Sequence, residues 1–263
     1  MDELLDRTVT LIKDYGITGA KLKDQFFLVD EAAINNEIES QQLNNNDIVL
    51  EIGPGFGYLT ENISKVCRVI AVEMDVKLHS YLINKYELNK NVELINADVL
   101  SIIIPKFTKV ISNPPYTLVD RIFNKLIHYD FLSGTMILPK SISDSLINGD
   151  NKKFPLIQRQ FFEFSKIAEV KKESFYPQPR VTSYMVKFSR IPSNLVQEAL
   201  KRGELLVKNA VARAYQETEV QTKRQSRQSY SEIEDKLKDI GEKEVKNLSF
   251  DELSRLIDVL KAH

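Results

Sequence analysis

The strongest indication of the fold is the segment Val49-Leu-Glu-Ile-Gly-Pro-Gly-Phe-Gly-Tyr-Leu-Thr60. A short apolar run, Ile48–Ile52, leads directly into glycines at positions 53, 55 and 57, and residues with helical spacing follow at Tyr58–Val66. Because glycine lets the backbone turn tightly and approach a ligand closely, the pattern predicts a buried strand, a ligand-binding loop and a helix.

Strands and helices alternate on both sides of this stretch. Helices are predicted before it, at Leu4–Tyr15 and Glu31–Gln42. Predicted strands follow it at Arg68–Glu73, Val92–Asn96, Lys109–Ser112 and Thr135–Leu138, with helices at Val76–Glu87 and Leu118–His128. This alternation is typical of a parallel, doubly wound α/β sheet of the Rossmann-like type. Two later strands, Ile167–Val170 and Ser183–Phe188, are predicted to form an antiparallel hairpin at the sheet edge.

The pattern changes after Ile191-Pro-Ser193, where strand-like runs cease. Helical spacing recurs at Leu195–Tyr215, Ser231–Ile240 and Asp251–Leu260. Capping boxes are predicted at two helix N-termini, Ser231 with Glu234 and Ser249 with Glu252. The sequence therefore predicts a larger α/β domain over residues 1–192, whose residues 1–30 form an N-terminal segment. A small all-helical domain is predicted over residues 193–263.

Composition and charge exclude several classes of protein. The 263 residues carry 36 basic and 37 acidic side chains, so the net charge of −1 gives no overall attraction to nucleic acid. Any contact with nucleic acid must come from local basic surface. The single cysteine, Cys67, excludes an internal disulfide and a cysteine-based metal site. The three histidines lack ligand spacing, so no metal is expected.

Neither the N-terminal residues nor the apolar runs indicate a membrane. The opening Met1-Asp-Glu-Leu-Leu-Asp6 is acidic and is not followed by an apolar segment, which is not typical of a signal peptide. No apolar run approaches the roughly 18 residues that a membrane helix needs. We expect a cytoplasmic protein without a membrane partner.

Two acidic residues follow the strands after the glycine-rich loop. Glu73 lies 20 residues after Gly53, at the end of the second predicted strand, and Asp98 follows the third. A carboxylate at position 73 can accept hydrogen bonds from both ribose hydroxyls of an adenosine, and Asp98 is placed to reach an adenine amino group. Together with the loop, these acids predict a nucleoside cofactor.

The spacing of the glycines distinguishes between two such cofactors. A dinucleotide such as NAD is typically bound by Gly-x-Gly-x-x-Gly, with its pyrophosphate at the helix N-terminus. Here the spacing is Gly-x-Gly-x-Gly, preceded by Glu51, which would repel a pyrophosphate. The pattern resembles motif I of the S-adenosyl-L-methionine-dependent methyltransferases, whose cofactor has no phosphate. Glu51, with Gly53 and Gly55 beside it, suits the cationic methionine part of that cofactor.

The segment Ile111-Ser-Asn-Pro-Pro-Tyr116 closes the fourth predicted strand and resembles motif IV of the amino-group methyltransferases. An amine conjugated to a ring is a poor nucleophile. The Asn113 side-chain oxygen and the Pro114 carbonyl can accept hydrogen bonds from such an amine, and Tyr116 offers a flat face for a flipped-out base. Two substrates fit this chemistry, the adenine N6 amine of a nucleic acid and the side-chain amide of a glutamine.

Two further segments resemble one methyltransferase family. Lys21-Leu-Lys-Asp-Gln-Phe-Phe-Leu-Val-Asp30 and Glu173-Ser-Phe-Tyr-Pro-Gln-Pro-Arg-Val-Thr-Ser183 resemble the N-terminal and Pro-rich motifs of the ribosomal RNA adenine dimethyltransferases, the KsgA-type family. With the two earlier motifs, the resemblance covers residues 20–190 in order. It implies dimethylation of two adjacent adenines near the 3′ end of small-subunit rRNA, and a role in ribosome assembly.

The resemblance also implies roles for individual residues. Contacts with S-adenosyl-L-methionine are implied for Gln25, Phe26, Leu28, Glu51, Gly53, Gly55, Glu73, Asp98 and Asn113. The target adenine would be held by the catalytic set Asn113, Pro114, Tyr116 and Phe175. The expected partner is small-subunit rRNA within an immature small ribosomal subunit, and the expected oligomeric state is a monomer.

The sequence departs from the family pattern in several places. Asp24 replaces a glycine, Phe26 replaces an asparagine or histidine, and Pro115 stands where leucine or isoleucine is common. Residues 138–155 lack the family's Gln-Lys-Glu-Val-Ala-like and Tyr-Gly patterns. Because these last changes lie where the family would meet RNA, they leave the target base open. The alternatives are a protein-glutamine or DNA-adenine methyltransferase, and a non-catalytic relative acting in ribosome assembly or transcription.

Basic residues concentrate in a few segments that could contact RNA. Small groups lie at positions 152–159 and 171–180, and the larger group spans Lys201–Arg227 at the start of the helical domain. Cations there would release counterions from RNA phosphates. We therefore predict RNA binding by the Lys201–Arg227 stretch, while the acidic residues 231–258 are predicted to face away from RNA.

Overall fold

The computed structural model describes residues 2–17, 25–218 and 222–262. The chain divides into two compact units, Met1–Ile147 with Phe164–Arg190, and Asn148–Glu163 with Ile191–His263. The predicted boundary after residue 192 lies close to the third and last point at which the chain passes from one unit to the other, after Arg190. The grouping of Asn148–Glu163 with the C-terminal helices differs from the prediction.

The first unit contains a central sheet and flanking helices. Its strands are β1 (Phe27–Leu28), β2 (Ile48–Ile52), β3 (Arg68–Glu73), β4 (Val92–Asn96), β5 (Lys109–Ser112), β6 (Ser133–Pro139), β7 (Phe162–Val170), β8 (Phe175–Tyr176) and β9 (Ser183–Arg190). Its helices are α1 (Asp2–Asp14), α2 (Glu31–Glu39), α3 (Tyr58–Ile63), α4 (Val76–Tyr86), α5 (Val119–Leu126) and α6 (Lys140–Asn148).

The strand order in the main sheet is β4-β3-β2-β5-β6-β9-β7. Strands β4, β3, β2, β5 and β6 pair in parallel, and β9 pairs antiparallel with β6. The order reverses at β2, which places the carboxyl ends of β2 and β5 beside each other at the switch point where open α/β sheets bind ligands. The predicted doubly wound sheet is confirmed, and the two late strands come last in the strand order, with β9 beside β6 and β7 at the edge.

Buried apolar residues explain the central strands. Val49, Leu50, Val69 and Ile111 are fully buried, as expected for parallel strands covered on both faces. The short strands β1 and β8 form a separate two-stranded antiparallel ladder that pairs Leu28 with Phe175. This ladder joins the last part of the N-terminal motif to the Pro-rich motif. The first part of that motif, including Asp24, lies outside the described residues.

The second unit is helical, with α7 (Lys153–Phe161), α8 (Leu195–Leu200), α9 (Val207–Thr218), α10 (Lys223–Leu237) and α11 (Phe250–Lys261). Helix α7 belongs here because Phe161 is fully buried and the Gln197 side chain donates a hydrogen bond to the Gln160 carbonyl at 2.8 Å. The described residues contain no helix long and apolar enough to cross a membrane.

Two helix predictions in this unit are wrong. Leu195–Tyr215 is not one helix, because a turn through Gly203 separates α8 from α9 and is held by the Lys246 amide, which donates to the Gly203 carbonyl at 2.9 Å. Ser231 is not a cap, because α10 begins earlier behind a Thr222–Gln225 capping box. The predicted capping box of Ser249 and Glu252 is confirmed at the start of α11.

Candidate functional site

A cavity of about 750 Å³ lies at the carboxyl ends of the parallel strands in the first unit. Side chains or backbone from the glycine-rich loop, from the turns after β3, β4 and β5, and from the β1–β8 ladder line it. Every predicted site residue is among them: Gln25, Phe26, Leu28, Glu51, Gly53, Gly55, Glu73, Asp98, Asn113, Pro114, Tyr116 and Phe175. The fold thus brings together residues that are up to 150 positions apart in the sequence.

The glycine-rich loop presents bare backbone to the cavity. Gly53 and Gly55 have φ angles of 69° and 58°, a region that residues with a side chain rarely adopt. A Cβ on Gly55 would meet the Phe27 ring at 3.0 Å, whereas a Cβ on Gly53 would meet no protein atom within 4 Å. A ligand can therefore approach the Gly53 backbone without displacing protein atoms.

Glu73 is held rigidly at the end of β3. Its side chain is 5% exposed, and its two carboxylate oxygens accept hydrogen bonds from the backbone amides of Gly55 (3.3 Å) and Asp75 (2.8 Å). Burial raises the pKa of this carboxyl. Each oxygen keeps a lone pair for a further donor, which suits the paired hydroxyls of a ribose.

Glu51 places a second carboxyl beside the loop. It is 2% exposed on β2, and its Oε2 accepts a hydrogen bond from the Thr60 hydroxyl at 2.5 Å. Burial raises its pKa to about 8. A bound cation would favour the ionised form, so this position suits the positively charged part of a ligand.

Asp98 lines the cavity beyond β4. Its Oδ1 accepts a hydrogen bond from the Leu100 amide at 2.9 Å, and its Oδ2 accepts one from the Ser101 hydroxyl at 3.2 Å. These local contacts fix the carboxylate in the turn. The remaining lone pairs are available to an amino group in the cavity.

Asn113 follows the last residue of β5. Its Oδ1 accepts a hydrogen bond from the Ile137 amide at 3.2 Å, and its Nδ2 donates one to Glu37 Oε2 at 3.0 Å. Because the Ile137 amide can only donate, it requires the amide oxygen of Asn113 to face it. The carboxamide therefore has a defined orientation at the cavity wall.

Aromatic rings complete the wall next to Asn113. The Tyr116 and Phe26 rings lie with their centroids 5.3 Å apart and tilted by 39°, and the Tyr116 hydroxyl shares a 2.6 Å hydrogen bond with the Ser183 hydroxyl. Burial raises the pKa of Tyr116. Phe175 is buried on β8, opposite Leu28 in the β1–β8 ladder. Phe26 thus contributes a ring face where the family pattern has a polar side chain.

Sequence reasoning missed Glu37, a fully buried carboxyl on α2. Burial, reinforced by the charge of Glu51, raises its pKa to about 8. The spacing of Ile34, Glu37, Ile38 and Gln41 is that of one helix face, and it could have indicated that Glu37 points inward with its apolar neighbours. The bond to Asn113 depends on the fold and has no signal in the sequence.

The comparisons with known proteins agree on one family. A family model described as "Ribosomal RNA adenine dimethylase" matches residues 20–262. The chain belongs to this family. A "Ribosomal RNA small subunit methyltransferase A" from Thermotoga maritima is 30% identical over 202 residues, which cover 74% of this chain and 72% of that relative. A "Probable ribosomal RNA small subunit methyltransferase A" from Methanosarcina mazei is 32% identical over 189 residues, 70% and 69% of the two chains.

Solved structures show the same fold. A dimethyladenosine transferase from Plasmodium falciparum aligns with a TM-score of 0.61 at 22% identity, covering 89% of this chain and 96% of that one. The 23S rRNA methyltransferase ErmE aligns with a TM-score of 0.61 at 21% identity, covering 89% and 99%. Both likenesses concern the fold alone.

These matches confirm the predicted family, the Rossmann-like fold with C-terminal helices, and S-adenosyl-L-methionine as the cofactor. The cavity fits that cofactor. Buried Glu51 suits its cationic part, Glu73 suits its ribose, and Gln25 Oε1, which has no hydrogen-bond partner among the described residues, can accept a bond from its ammonium group. The roles of the individual residues stay predictions.

Proposed function

We propose that this protein dimethylates the N6 amine of adenine in small-subunit rRNA, using S-adenosyl-L-methionine. The observation that carries the proposal is the Asn113 carboxamide, held at the cavity wall by Ile137 and Glu37 in a chain of the adenine dimethylase family. The expected partner is an immature small ribosomal subunit, on which the protein acts in the cytoplasm as a monomer.

The cofactor would be held by the loop and the three acids. S-adenosyl-L-methionine, when bound, supplies an electrophilic methyl group. Gly53 and Gly55 would allow the cofactor to approach the backbone closely. Glu73 would accept hydrogen bonds from the ribose hydroxyls of the cofactor, and Asp98 would accept one from its adenine amino group. Glu51 and Gln25 bind the methionine part, with Leu28 and the Phe26 ring against its apolar surface.

The target base would be held by the segment after β5. For the first methyl, the N6 amine would donate hydrogen bonds from its two N–H groups to Asn113 Oδ1 and the Pro114 carbonyl, which localises the nitrogen lone pair for attack. For the second methyl, the monomethylated amine would keep one N–H for one of these two acceptors, and in each transfer the nitrogen releases one proton to solvent. Tyr116 and Phe175 contact the faces of the base, so it is read outside any base stack. The hydrogen bond of Tyr116 with Ser183 holds the tyrosine ring in place for this contact.

The RNA-binding part of the proposal rests on a smaller set of cations than the sequence suggested. Lys201, Arg202 and Lys208 form ion pairs with glutamates. Arg213, Lys223, Arg224 and Arg227 are exposed, and no ion pair ties them to another described residue. We assign phosphate binding to these four residues, which we call the basic face.

The decisive test uses radiolabelled S-adenosyl-L-methionine and small ribosomal subunits from a strain lacking this gene. The RNA is digested and the labelled nucleosides are identified, with large subunits, DNA and ribosomal proteins assayed in parallel. Label in N6,N6-dimethyladenosine of small-subunit RNA is expected, and its loss in Asn113→Ala would tie the activity to this site. Label confined to another substrate, or no label despite cofactor and subunit binding, would overturn the proposal.

A further inference from the structure

We propose that Glu37 is a positioning residue that orients the Asn113 carboxamide and, when ionised, strengthens Asn113 Oδ1 as the acceptor for the target amine. This inference rests on the proposed function. Glu37 itself is absent from the residues that line the cavity, so it acts through Asn113. Its carboxyl oxygen lies 3.0 Å from Asn113 Nδ2.

The two partners of Asn113 permit one orientation of the carboxamide. Rotation by 180° would set Nδ2 against the Ile137 amide, two donors, so the hydrogen bond from Ile137 would be lost whether Glu37 is neutral or ionised. When Glu37 is ionised, the rotation would also set Oδ1 against a second acceptor, and the bond to Glu37 would be lost as well. In the observed orientation, Oδ1 accepts one bond from Ile137 and keeps a second lone pair for the substrate.

Burial of Glu37 requires an explanation that packing does not supply. The side chain is fully buried, and Oε1 has no hydrogen-bond partner among the described residues. A buried polar atom without a partner destabilises the fold, so an apolar residue at this position of α2 would serve packing better. A carboxyl at this position can accept the hydrogen bond from Asn113 Nδ2, and an apolar side chain cannot.

Ionisation adds an electrostatic effect to the geometric one. A charged Oε2 strengthens the hydrogen bond from Nδ2 and draws the amide toward its charge-separated resonance form, which makes Oδ1 more negative. Glu51 on β2 is the titratable group that acts on Glu37 among the described residues, and its negative charge, when present, raises the pKa of Glu37. Strand β6 contributes the neutral Ile137 and Thr135 near α2. Because the pKa of Glu37 is raised to about 8, the carboxyl is mostly neutral at pH 7 and becomes charged above pH 8.

The kinetic test compares Glu37→Gln and Glu37→Leu with the wild type. Glutamine can still accept from Asn113 Nδ2, so kcat at pH 7 is retained, whereas leucine releases the carboxamide and lowers kcat by about 100-fold, as misplaced catalytic groups do. Cofactor affinity is unchanged in both. With saturating cofactor, whose cation keeps Glu51 ionised, wild-type kcat rises through about pH 8. Glu37→Gln lacks this rise.

Gln41→Leu serves as the matched control. Gln41 is buried four residues after Glu37, and its side-chain amide donates a hydrogen bond to the Thr135 hydroxyl at 2.7 Å. It makes no hydrogen bond to Asn113. Its replacement is expected to lower thermal stability and leave kcat unchanged. A wild-type kcat in Glu37→Leu, or the same alkaline rise in Glu37→Gln as in the wild type, would overturn the proposal.

An NMR measurement separates this inference from the proposed function. The side-chain amide signal of Asn113, assigned by its absence in Asn113→Ala, is expected to shift with pH around 8 in the wild type and not in Glu37→Gln. If this titration is observed in a protein that methylates no rRNA, the proposed function fails and the coupling of Glu37 to Asn113 stands. A wild-type signal that does not titrate overturns the inference whatever the activity.

Discussion

The acids of the cofactor wall and the polar groups of the target wall are held by contacts of different range. We define the cofactor wall as Glu51, Gly53, Gly55, Glu73 and Asp98, and the target wall as Asn113, Pro114, Tyr116 and Phe175. Glu51 accepts a hydrogen bond from Thr60, 9 positions away in the sequence, and Glu73 accepts one from Gly55, 18 positions away. In the target wall, Asn113 is hydrogen-bonded to Glu37, 76 positions away, and Tyr116 to Ser183, 67 positions away.

Because their supporting contacts differ in range, the two walls should respond differently to substitution. The cofactor wall is assembled from strand ends and the turns that follow them, so each acid is supported by its own neighbourhood. The target wall depends on α2, β6 and β9 being packed in place. Substitutions in the cofactor wall should therefore weaken cofactor binding, and substitutions in or behind the target wall should slow the chemistry.

Replacement of Asn113 by alanine is expected to have the largest effect. The substitution removes the Asn113 oxygen that accepts a hydrogen bond from the target amine. The loss of one hydrogen-bonding group that is aligned with the reacting atoms lowers kcat by about 100- to 1000-fold. The Kd for S-adenosyl-L-methionine, measured by calorimetry, should rise far less than kcat falls, because Asn113 is one of nine residues for which a cofactor contact is implied. Asn91→Ala is the matched control, because Asn91 donates to the Ser64 carbonyl at 2.9 Å and does not line the cavity. A large loss of cofactor affinity in Asn113→Ala would contradict the separation of the two walls.

Replacement of Glu73 by alanine should show the opposite pattern. Hydrogen bonds to a charged group contribute about 1.5–3 kcal/mol, so the Kd for the cofactor is expected to rise by about 100-fold. Once the cofactor is saturating, kcat should approach that of the wild type. Glu93→Ala on β4, whose side chain is exposed and pairs with Arg68, is the control and should leave the Kd unchanged. A lower saturated kcat with an unchanged Kd would contradict this assignment.

Substitutions in the basic face should have a third and smaller effect, and they should affect RNA binding alone. Neutralising Lys223, Arg224 and Arg227 to glutamine is expected to weaken binding to rRNA and to make that binding less dependent on salt. The slope of log affinity against log salt should fall by about one for each phosphate that these cations no longer neutralise. Fluorescence anisotropy across a salt series measures both the affinity and the slope. Cofactor affinity should not change.

The control for the basic face removes the same charge elsewhere in the helical unit. Lys236 and Lys238 are exposed in the part predicted to face away from RNA, and Lys261 is exposed three residues beyond it. Their replacement by glutamine is expected to leave the salt slope unchanged. Equal losses of RNA affinity in the two triple variants would show that total charge, and not the basic face, determines RNA affinity.

The range of the contacts also explains how much the sequence predicted. Strands β2 to β6 and the acids at the ends of β3 and β4 were predictable because periodicity and spacing are local signals. The helix over Leu195–Tyr215 was wrong because its interruption at Gly203 is stabilised by Lys246 in a later loop. The cap at Ser231 was wrong because a Ser-x-x-Glu pattern also fits inside α10. Glu37 was missed because its partner lies 76 positions away.

The smallest expected effect comes from Tyr116→Phe, which probes a single long-range bond in the target wall. The substitution keeps the ring and removes the hydroxyl that shares a 2.6 Å hydrogen bond with Ser183. Loss of one such bond costs about 1 kcal/mol of stability, and because the ring is then less firmly held, kcat should fall by about fivefold. Thermal unfolding and steady-state methylation measure the two effects.

Ser183→Ala removes the other partner of the same bond and is the matched variant. If the bond acts by holding the ring, the two single variants and the double variant should show the same reduced kcat, because each removes one shared interaction. Tyr116→Ala, which also removes the stacking face, should be slower than all three. Additive losses in the double variant would mean that the two hydroxyls act separately, and the target wall would then depend on Ser183 for something other than the position of Tyr116.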